Sequence, residues 1–250
     1  MRTIVVIGAS NVTFSLPVIW STLRQSLADP FRLIVAAGHG RSFGLPNTLF
    51  GRTLPSILEC DLWESLTQLK PASVHAIVTD IGNDLLYGAD SIQTMHWVTE
   101  TICRLETIAA NIVVTGLPVG TLQNMSARRF EFFRRIMFPQ STLTFEAALD
   151  ESETLHHQLM RSGDKDLVST ATPAAKWYGL DPIHIRRHCR REAWQQYLSM
   201  CIPDTKINHC GLIPDWSVWK GAAKRRWKSS RLLTSQQPAQ TINKNELWLF

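Results

Sequence analysis

Short apolar runs rich in β-branched residues alternate with helical patterns through most of this chain. The runs cover residues 3–7, 31–37, 74–79, 111–115 and 167–170, and the first four stop at glycine or aspartate. Uniformly apolar strands of this kind are typical of parallel sheets that are buried on both faces. The alternation therefore predicts an α/β domain in which a central parallel sheet of about five strands lies between two layers of helices.

The segments between these runs show the apolar periodicity of helices. Pro17 is expected to disturb the first turns of the first helix. Residues 41–60 are rich in Gly, Pro and Asn, which predicts a loop with irregular turns. Ligands bind at the carboxyl ends of parallel strands, so the turns after the runs are the candidate site. The predicted helices cover residues 11–27, 62–69, 91–110, 124–138, 144–162 and 184–200.

Ser10 lies just past the first run, in the turn Gly8-Ala9-Ser10-Asn11. A hydroxyl at a strand-to-helix turn lies at the edge of the sheet, beside helix N–H groups that favour negative charge. Ser10 is therefore a candidate nucleophile, although an ordinary N-cap serine fits the same position. A dinucleotide-binding turn is not supported, because the G-x-G-x-x-G pattern is interrupted by Ser10 and by Thr13.

Asp181 and His184 lie three residues apart across Pro182, in the segment Asp-Pro-Ile-His. A carboxylate at this spacing in a turn can reach Nδ1 of the histidine, fix its tautomer and leave Nε2 free as a general base. Pro182 stiffens the segment because its ring fixes one φ angle. The alternative is an N-cap aspartate followed by a surface histidine, and this segment alone fits both interpretations.

Two further turns carry groups that can stabilise an oxyanion. Asn83 follows the third run, and its side-chain amide can donate a hydrogen bond to developing negative charge. Gly38 and Gly40 follow the second run, where a glycine lets a backbone N–H approach a substrate closely. Glycine and asparagine are also ordinary turn residues, so neither segment is specific by itself.

The order of these segments resembles the SGNH (GDSL-type) hydrolase superfamily. Its members carry a serine, a glycine and an asparagine after the first three strands and a D-x-x-H segment near the C-terminus. The resemblance implies a flavodoxin-like three-layer α/β/α sandwich and a serine-dependent ester hydrolase of the esterase, lipase or acylhydrolase type. It implies a triad of Ser10, Asp181 and His184, and an oxyanion hole built from Ser10, Gly40 and the Asn83 side chain. It implies a small-molecule ester substrate and no metal or other cofactor.

The chain departs from the family pattern in three places. The usual G-D-S is Gly8-Ala9-Ser10 here, so the acidic residue is missing although the serine remains. The second segment offers two glycines, and the distance past the strand favours Gly40 over Gly38. The resemblance covers about residues 1–200. We therefore divide the chain into a hydrolase domain at 1–202 and a basic, Trp-rich extension at 203–250 that is expected to pack on it.

Composition narrows the class of protein further. The chain is 44% hydrophobic and 19% charged, as in a globular protein, and no apolar run approaches the roughly 20 residues of a membrane span. The first run is too short for a signal-peptide core, so a cytoplasmic protein is expected. The cysteines form no C-x-x-C pair, which favours free buried thiols over disulfides or zinc. They are Cys60, Cys103, Cys189, Cys201 and Cys210.

The net charge of +5 is concentrated at residues 186–191 and 224–228. Such clusters occur on solvated faces as well as in sites for nucleic acid or anionic lipid. Two alternative functions stay open at this point: a non-catalytic binding protein that keeps the fold, and partner binding through the basic tail. Nucleic acid is not the expected partner, and the sequence leaves the oligomeric state open.

Overall fold

The computed structural model describes residues 1–49, 52–164, 166–208, 214–216, 218 and 237–250. The basic cluster at 224–228 therefore lies outside the described residues. The strands are β1 (Arg2–Ile7), β2 (Phe31–Ala36), β3 (Asn47–Leu49), β4 (Arg52–Leu54), β5 (Val74–Val78), β6 (Ala109–Thr115), β7 (Val168–Ala171), β8 (Gln240–Ile242) and β9 (Asn245–Leu249). The helices are α1 (Ser10–Ser26), α2 (Leu62–Leu69), α3 (Asn83–Leu86), α4 (Ser91–Glu106), α5 (Val119–Gln123), α6 (Ala127–Met137), α7 (Phe145–Arg161) and α8 (Arg190–Cys201).

The main sheet has seven strands in the order β7-β6-β5-β1-β2-β9-β8. The first six of these pair in parallel, and β8 is antiparallel to β9. The expected three-layer α/β/α fold is confirmed, but the expected number of about five strands is too low. The difference comes from β8 and β9, which extend the sheet beyond β2.

Helices cover both faces of the sheet because its central strands are apolar on both sides. In β1, Ile4 and Val6 pack against α1 and α8, whereas Val5 and Ile7 pack against α2, α4 and α7. All four side chains are fully buried. Burial on both faces explains why the run lacks the polar alternation of a half-exposed strand.

Strand β9 joins the sheet through side chains as well as backbone. Its Leu247 is fully buried, and Asn245 Oδ1 accepts a hydrogen bond of 3.0 Å from the backbone N–H of Phe31. An ion pair of 2.5 Å links Arg32 Nε on β2 to Glu246 on β9. The last described segment of the chain is therefore part of the central sheet.

Several predicted element boundaries differ from the structure. The loop predicted at 41–60 contains the antiparallel pair β3 and β4, and α1 continues through Pro17. Helix α4 ends at Glu106 rather than at 110, because Ala109 and Ala110 begin β6. Helix α8 begins at Arg190 rather than at 184. Residues 184–189 instead form turns in which Arg186 N–H donates to the Trp177 carbonyl.

Cys210 lies outside the described residues, and the other four cysteines differ in exposure. Cys60, Cys189 and Cys201 are buried free thiols, as the sequence predicts, whereas Cys103 on α4 is exposed. Burial raises the pKa of Cys60, so this thiol stays protonated at neutral pH. In the part of the chain that the structure describes, no helix combines the length and the apolar character that crossing a membrane requires.

Candidate active site

Ser10 is the first residue of α1, at the carboxyl end of the central strand β1, and only 6% of it is exposed. The turn that carries it packs tightly against the end of β5. A Cβ on Gly8 would lie 2.6 Å from Val12 Cγ2 and 2.9 Å from Thr79 Cγ2. Position 8 therefore favours glycine, because a side chain would push the turn that carries Ser10 away from the end of β5.

Asp80 caps the helix that begins at Ser10. Its Oδ2 accepts hydrogen bonds from the backbone N–H groups of Ala9 at 2.9 Å and Asn11 at 3.0 Å. The backbone of Asp80 has a left-handed φ of 60°, which turns the chain sharply after β5. Ala9 thus lies in a turn that is bound by a carboxylate from the end of the neighbouring strand β5.

Asn11 joins the turn that carries Ser10 to the Asp-Pro-Ile-His segment. Its Nδ2 donates to Asp80 Oδ1 at 2.7 Å and to the Ile183 carbonyl at 2.8 Å. Its Oδ1 accepts a hydrogen bond of 2.8 Å from the backbone N–H of Ile185. These bonds hold residues separated by more than 170 positions in the sequence, which places His184 beside Ser10.

Ser10, His184 and Asp181 form one chain of hydrogen bonds. Ser10 Oγ lies 2.8 Å from His184 Nε2, and His184 Nδ1 lies 2.5 Å from Asp181 Oδ2. Asp181 Oδ1 also accepts hydrogen bonds from the backbone N–H groups of Ile183 and His184. The carboxylate therefore holds both the histidine ring and the backbone of its own turn.

The charge of Asp181 determines the direction of these hydrogen bonds. Burial acts to raise the pKa of Asp181, but the hydrogen bond and charge of His184, together with two backbone N–H groups, outweigh it and lower the pKa. An ionised carboxylate only accepts hydrogen bonds, so Nδ1 of a neutral His184 carries the proton. Nε2 is then an acceptor for the hydroxyl of Ser10, which is the arrangement that a general base requires.

Asn83 lies beside the loop that follows β2. Asn83 begins α3, is buried, and lines the same pocket as Ser10. Its Nδ2 donates to the Arg41 carbonyl at 3.4 Å, so Asn83 adjoins the residue that follows Gly40. An amide nitrogen carries two hydrogens, so Asn83 retains one donor for a ligand.

Gly40 has the backbone conformation that makes glycine favourable there. Its φ of 64° lies in the left-handed region, and its carbonyl accepts hydrogen bonds from Tyr87 Oη at 2.6 Å and Asn47 Nδ2 at 2.7 Å. Gly38 instead packs against Leu54, whose Cδ1 would lie 2.3 Å from an added Cβ. The fixed carbonyl of Gly40 orients the peptide unit that follows it.

Asp84 binds the loop that follows β2. It is fully buried and accepts hydrogen bonds from the Ser42 hydroxyl and from the backbone N–H of Phe43 at 3.1 Å. Burial raises the pKa of Asp84 to about 6, although these hydrogen bonds act to lower it. An unfolded aspartate titrates near pH 4, so the folded protein holds more protons at this position between about pH 4 and 6.

We expect the titration of Asp84 to make the folded state less stable as the pH rises. The contribution of Asp84 is fully present below about pH 4 and is lost as the pH passes 6, a change on the order of 3 kcal/mol. An Asp84→Asn variant removes this titration. Its free energy of unfolding in urea, minus that of the wild type, should therefore increase from pH 4 to 6.5. A difference that stays constant over this range would contradict the assignment.

An aromatic contact connects the two sides of the site. The Phe14 ring lies 5.3 Å from the His184 ring and 4.8 Å from the His39 ring, measured between centroids. The guanidinium of Arg190 lies 4.9 Å from the Phe14 ring, and its Nη1 donates to the Phe14 carbonyl at 3.2 Å. Arg190, from the basic cluster at 186–191, thus packs on the ring that contacts His184.

The structure places every residue of the predicted site at the carboxyl ends of β1, β2 and β5 or in the turn beside them. Ser10, Asp181 and His184 are in direct contact, and Asn83 shares a pocket with Ser10. Sequence reasoning gave no role to Asn11 or Asp80. A signal for Asp80 was present, since it is the acidic residue directly after the third apolar run. Among the described residues, no group of three His, Cys, Asp or Glu side chains is placed to hold a metal ion.

No family model and no curated protein sequence matches the chain. Solved structures do match it. A carbohydrate acetylesterase family member from Sinorhizobium meliloti superposes with a TM-score of 0.52 at 14% identity, over 79% of this chain and 95% of that one. The aryl esterase of M. smegmatis gives a TM-score of 0.52 at 14% identity, over 79% and 99%.

The psychrotrophic esterase EstA from Pseudoalteromonas sp. gives a TM-score of 0.50 at 13% identity, over 79% of this chain and 96% of that one. These structural neighbours are esterases, and the likeness confirms the fold that the sequence resemblance implied. At such low identity the likeness defines the fold alone. The activity has to be argued from the residues of this chain.

Proposed function

We propose that this protein is a serine-dependent ester hydrolase of the esterase, lipase or acylhydrolase type. The observation that carries the proposal is the hydrogen-bonded chain from Ser10 through His184 to Asp181. A hydroxyl held 2.8 Å from a neutral imidazole nitrogen can lose its proton to that nitrogen as it attacks a carbonyl. The likeness in fold to solved esterases supports the same class of reaction.

In the first half of the reaction, Ser10 Oγ attacks the ester carbonyl carbon and His184 Nε2 takes the hydroxyl proton. Asp181 stabilises the imidazolium that forms. The bond to the alcohol oxygen then breaks, and His184 gives its proton to the leaving alcohol. In the second half, a water molecule attacks the acyl-enzyme with His184 again acting as the base. The products are a carboxylic acid, an alcohol and the free Ser10 hydroxyl.

The negative charge on the tetrahedral intermediate needs donors that are already in place. We assign this role to the backbone N–H groups of Ser10 and Gly40 and to the Asn83 side chain. Ser10 supports the assignment by its position at the N-terminus of a 17-residue helix, where partial positive charge accumulates. Gly40 supports it through its fixed left-handed conformation, and Asn83 through its place in the pocket of Ser10.

Replacing Asn83 with alanine is expected to lower kcat for p-nitrophenyl ester hydrolysis by about 10²–10³-fold, because one oxyanion donor is lost. KM should change much less, since the donor acts mainly on the transition state. Asn124→Ala is the matched control, because Asn124 is exposed beyond α5 and its amide donates to the Gly120 carbonyl four residues earlier. A folded Asn83→Ala variant that hydrolyses esters at the wild-type rate would refute this role.

The alternative, a binding protein that keeps the fold without catalysis, makes the opposite prediction. Its wild type would fold, hydrolyse no ester and leave Ser10 unmodified by fluorophosphonates. The hydrogen bond between Ser10 and His184 favours catalysis, because binding alone does not require a base at this distance from a hydroxyl. Partner binding through the basic cluster at 224–228 concerns residues outside the described part of the chain and is not proposed.

A further inference from the structure

A pocket leads away from Ser10 beneath helix α6. Ser10 and Asn83 line one part of it, and residues of α6 and α7 line another, together with the ends of β5 and β6 and the turn at 182–183. Its walls are mainly apolar: Leu117, Leu122, Phe130, Phe133, Met137 and Phe138 all line it. The reaction at Ser10 does not by itself require this apolar space, so the substrate is what would fill it. We call this space the α6 chamber.

Helix α6 presents different faces to the chamber and to solvent. Phe130, Phe133 and Met137 recur at helical spacing and line the chamber. Phe132 and Ile136, on the opposite face, are 61% and 63% exposed. The inner face of α6 is therefore a wall of the chamber, and it is only partly covered by other side chains.

Small residues of α7 leave room on the opposite wall. Ala148 and Ser152 lie one helical turn apart, are both buried and both line the chamber. Ala147, directly before Ala148, is exposed and lies outside the lining. A larger side chain at position 148 would occupy the chamber, whereas the same change at position 147 would point into solvent.

The two charged residues that line the chamber are already paired. Asp80 binds the N–H groups at the start of α1, and Arg134 donates to Glu131 at 2.8 Å. Glu131 offsets the charge of Arg134, although the buried Nε of Arg134 has no hydrogen-bond partner among the described residues. The rest of the wall is mainly apolar and fits an aliphatic chain, whose burial would stabilise the complex by roughly 25 cal/mol per Å².

We propose that the α6 chamber binds the apolar acyl chain of a medium-chain ester, which rests on the proposed ester hydrolysis at Ser10. The proposed oxyanion donor Asn83 lines the chamber, so an ester whose carbonyl oxygen binds Asn83 has its acyl group next to the chamber wall. His184, which returns the proton to the leaving alcohol, is not among the described residues that line the chamber, although Pro182 and Ile183 are.

The test measures kcat/KM for p-nitrophenyl acetate, butyrate and octanoate with the full-length protein. The inference predicts an increase of about fourfold for each methylene that enters the chamber, and at least tenfold between acetate and octanoate. Ala148→Leu should lower the octanoate-to-acetate ratio about tenfold. Ala147→Leu, the matched control, should leave this ratio as in the wild type. A ratio near one in the wild type, or equal ratios in both variants, would overturn the inference.

A second pair of variants covers the case in which Ala148→Leu does not fold. Phe133→Ala removes a ring from the chamber wall and should lower the octanoate-to-acetate ratio, whereas Phe132→Ala removes an exposed ring from the same helix and should not. Identical ratios in these two variants count against the chamber.

Ligand binding separates this inference from the proposed function. Calorimetry with Ser10→Ala should show decanoate binding more tightly than butyrate, and Phe133→Ala in that background should weaken decanoate selectively. If the wild type hydrolyses no ester but Ser10→Ala still prefers decanoate, the proposed function is refuted and the chamber stands. Ester hydrolysis without any chain-length preference would keep the function and refute the chamber.

Discussion

Replacing Ser10 with alanine is expected to lower kcat for ester hydrolysis by about 10⁴-fold or more. The variant loses the atom that attacks the carbonyl, and the remaining donors and binding contacts sustain only a small residual rate. The fold should persist, because the substitution removes one Oγ atom and leaves the hydrogen bonds of Asn11 and Asp80 that hold the turn. The rate of p-nitrophenol release, followed by stopped-flow or steady-state absorbance, measures the effect.

Ser15→Ala is the control for this substitution. Ser15 lies on the same helix and is fully buried, and its Oγ has no hydrogen-bond partner among the described residues. Ser15→Ala therefore also removes an Oγ atom from α1, but this atom has no part in the proposed reaction. Comparable losses in the two variants would mean that α1 is merely sensitive to substitution, and an unchanged rate in Ser10→Ala would remove Ser10 from the mechanism.

Replacing Asp181 with asparagine is expected to lower kcat by roughly 10³–10⁴-fold. The amide oxygen can still accept the backbone N–H bonds of Ile183 and His184, so the turn should keep its shape. The lost charge no longer holds the proton on His184 Nδ1. The ring then favours the tautomer with the proton on Nε2, which cannot accept the proton of Ser10.

The pH dependence of the rate distinguishes this effect from simple misfolding. The Asp181→Asn variant should regain activity at high pH, where hydroxide removes the proton that His184 no longer takes. Asp150→Asn is the control, because Asp150 is exposed on α7. Wild-type turnover at neutral pH in Asp181→Asn would show that the carboxylate does not orient the base.

The central strands were predictable because they are buried on both faces. The run from Ile4 to Ile7 contains only apolar residues, and such a pattern has few other interpretations. Strands β8 and β9 were not predicted, since Thr241, Asn245 and Glu246 interrupt any apolar run. Strand β9 pairs with β2, more than 200 residues away, and local patterns do not encode contacts at that distance.

The same distinction between local and distant contacts applies to the site. Asp181 and His184 were recognisable as a pair because their spacing lies within one turn. Asp80 and Asn11 were not given roles, because each acts on partners about 70 to 170 residues away. No single turn motif was specific for a function. The order of the motifs along the chain was informative, because turns that follow parallel strands lie at the same edge of the sheet.

The central claim is that Ser10 is an activated nucleophile, and one measurement tests it directly. The wild-type protein is treated with a fluorophosphonate, its intact mass is determined and the modified peptide is sequenced by mass spectrometry. The account predicts one adduct per chain, located on Ser10, that is absent in Ser10→Ala and forms much more slowly in Asp181→Asn. An ester-hydrolysing wild type that stays unmodified at Ser10, or carries its adduct on another residue, would contradict it.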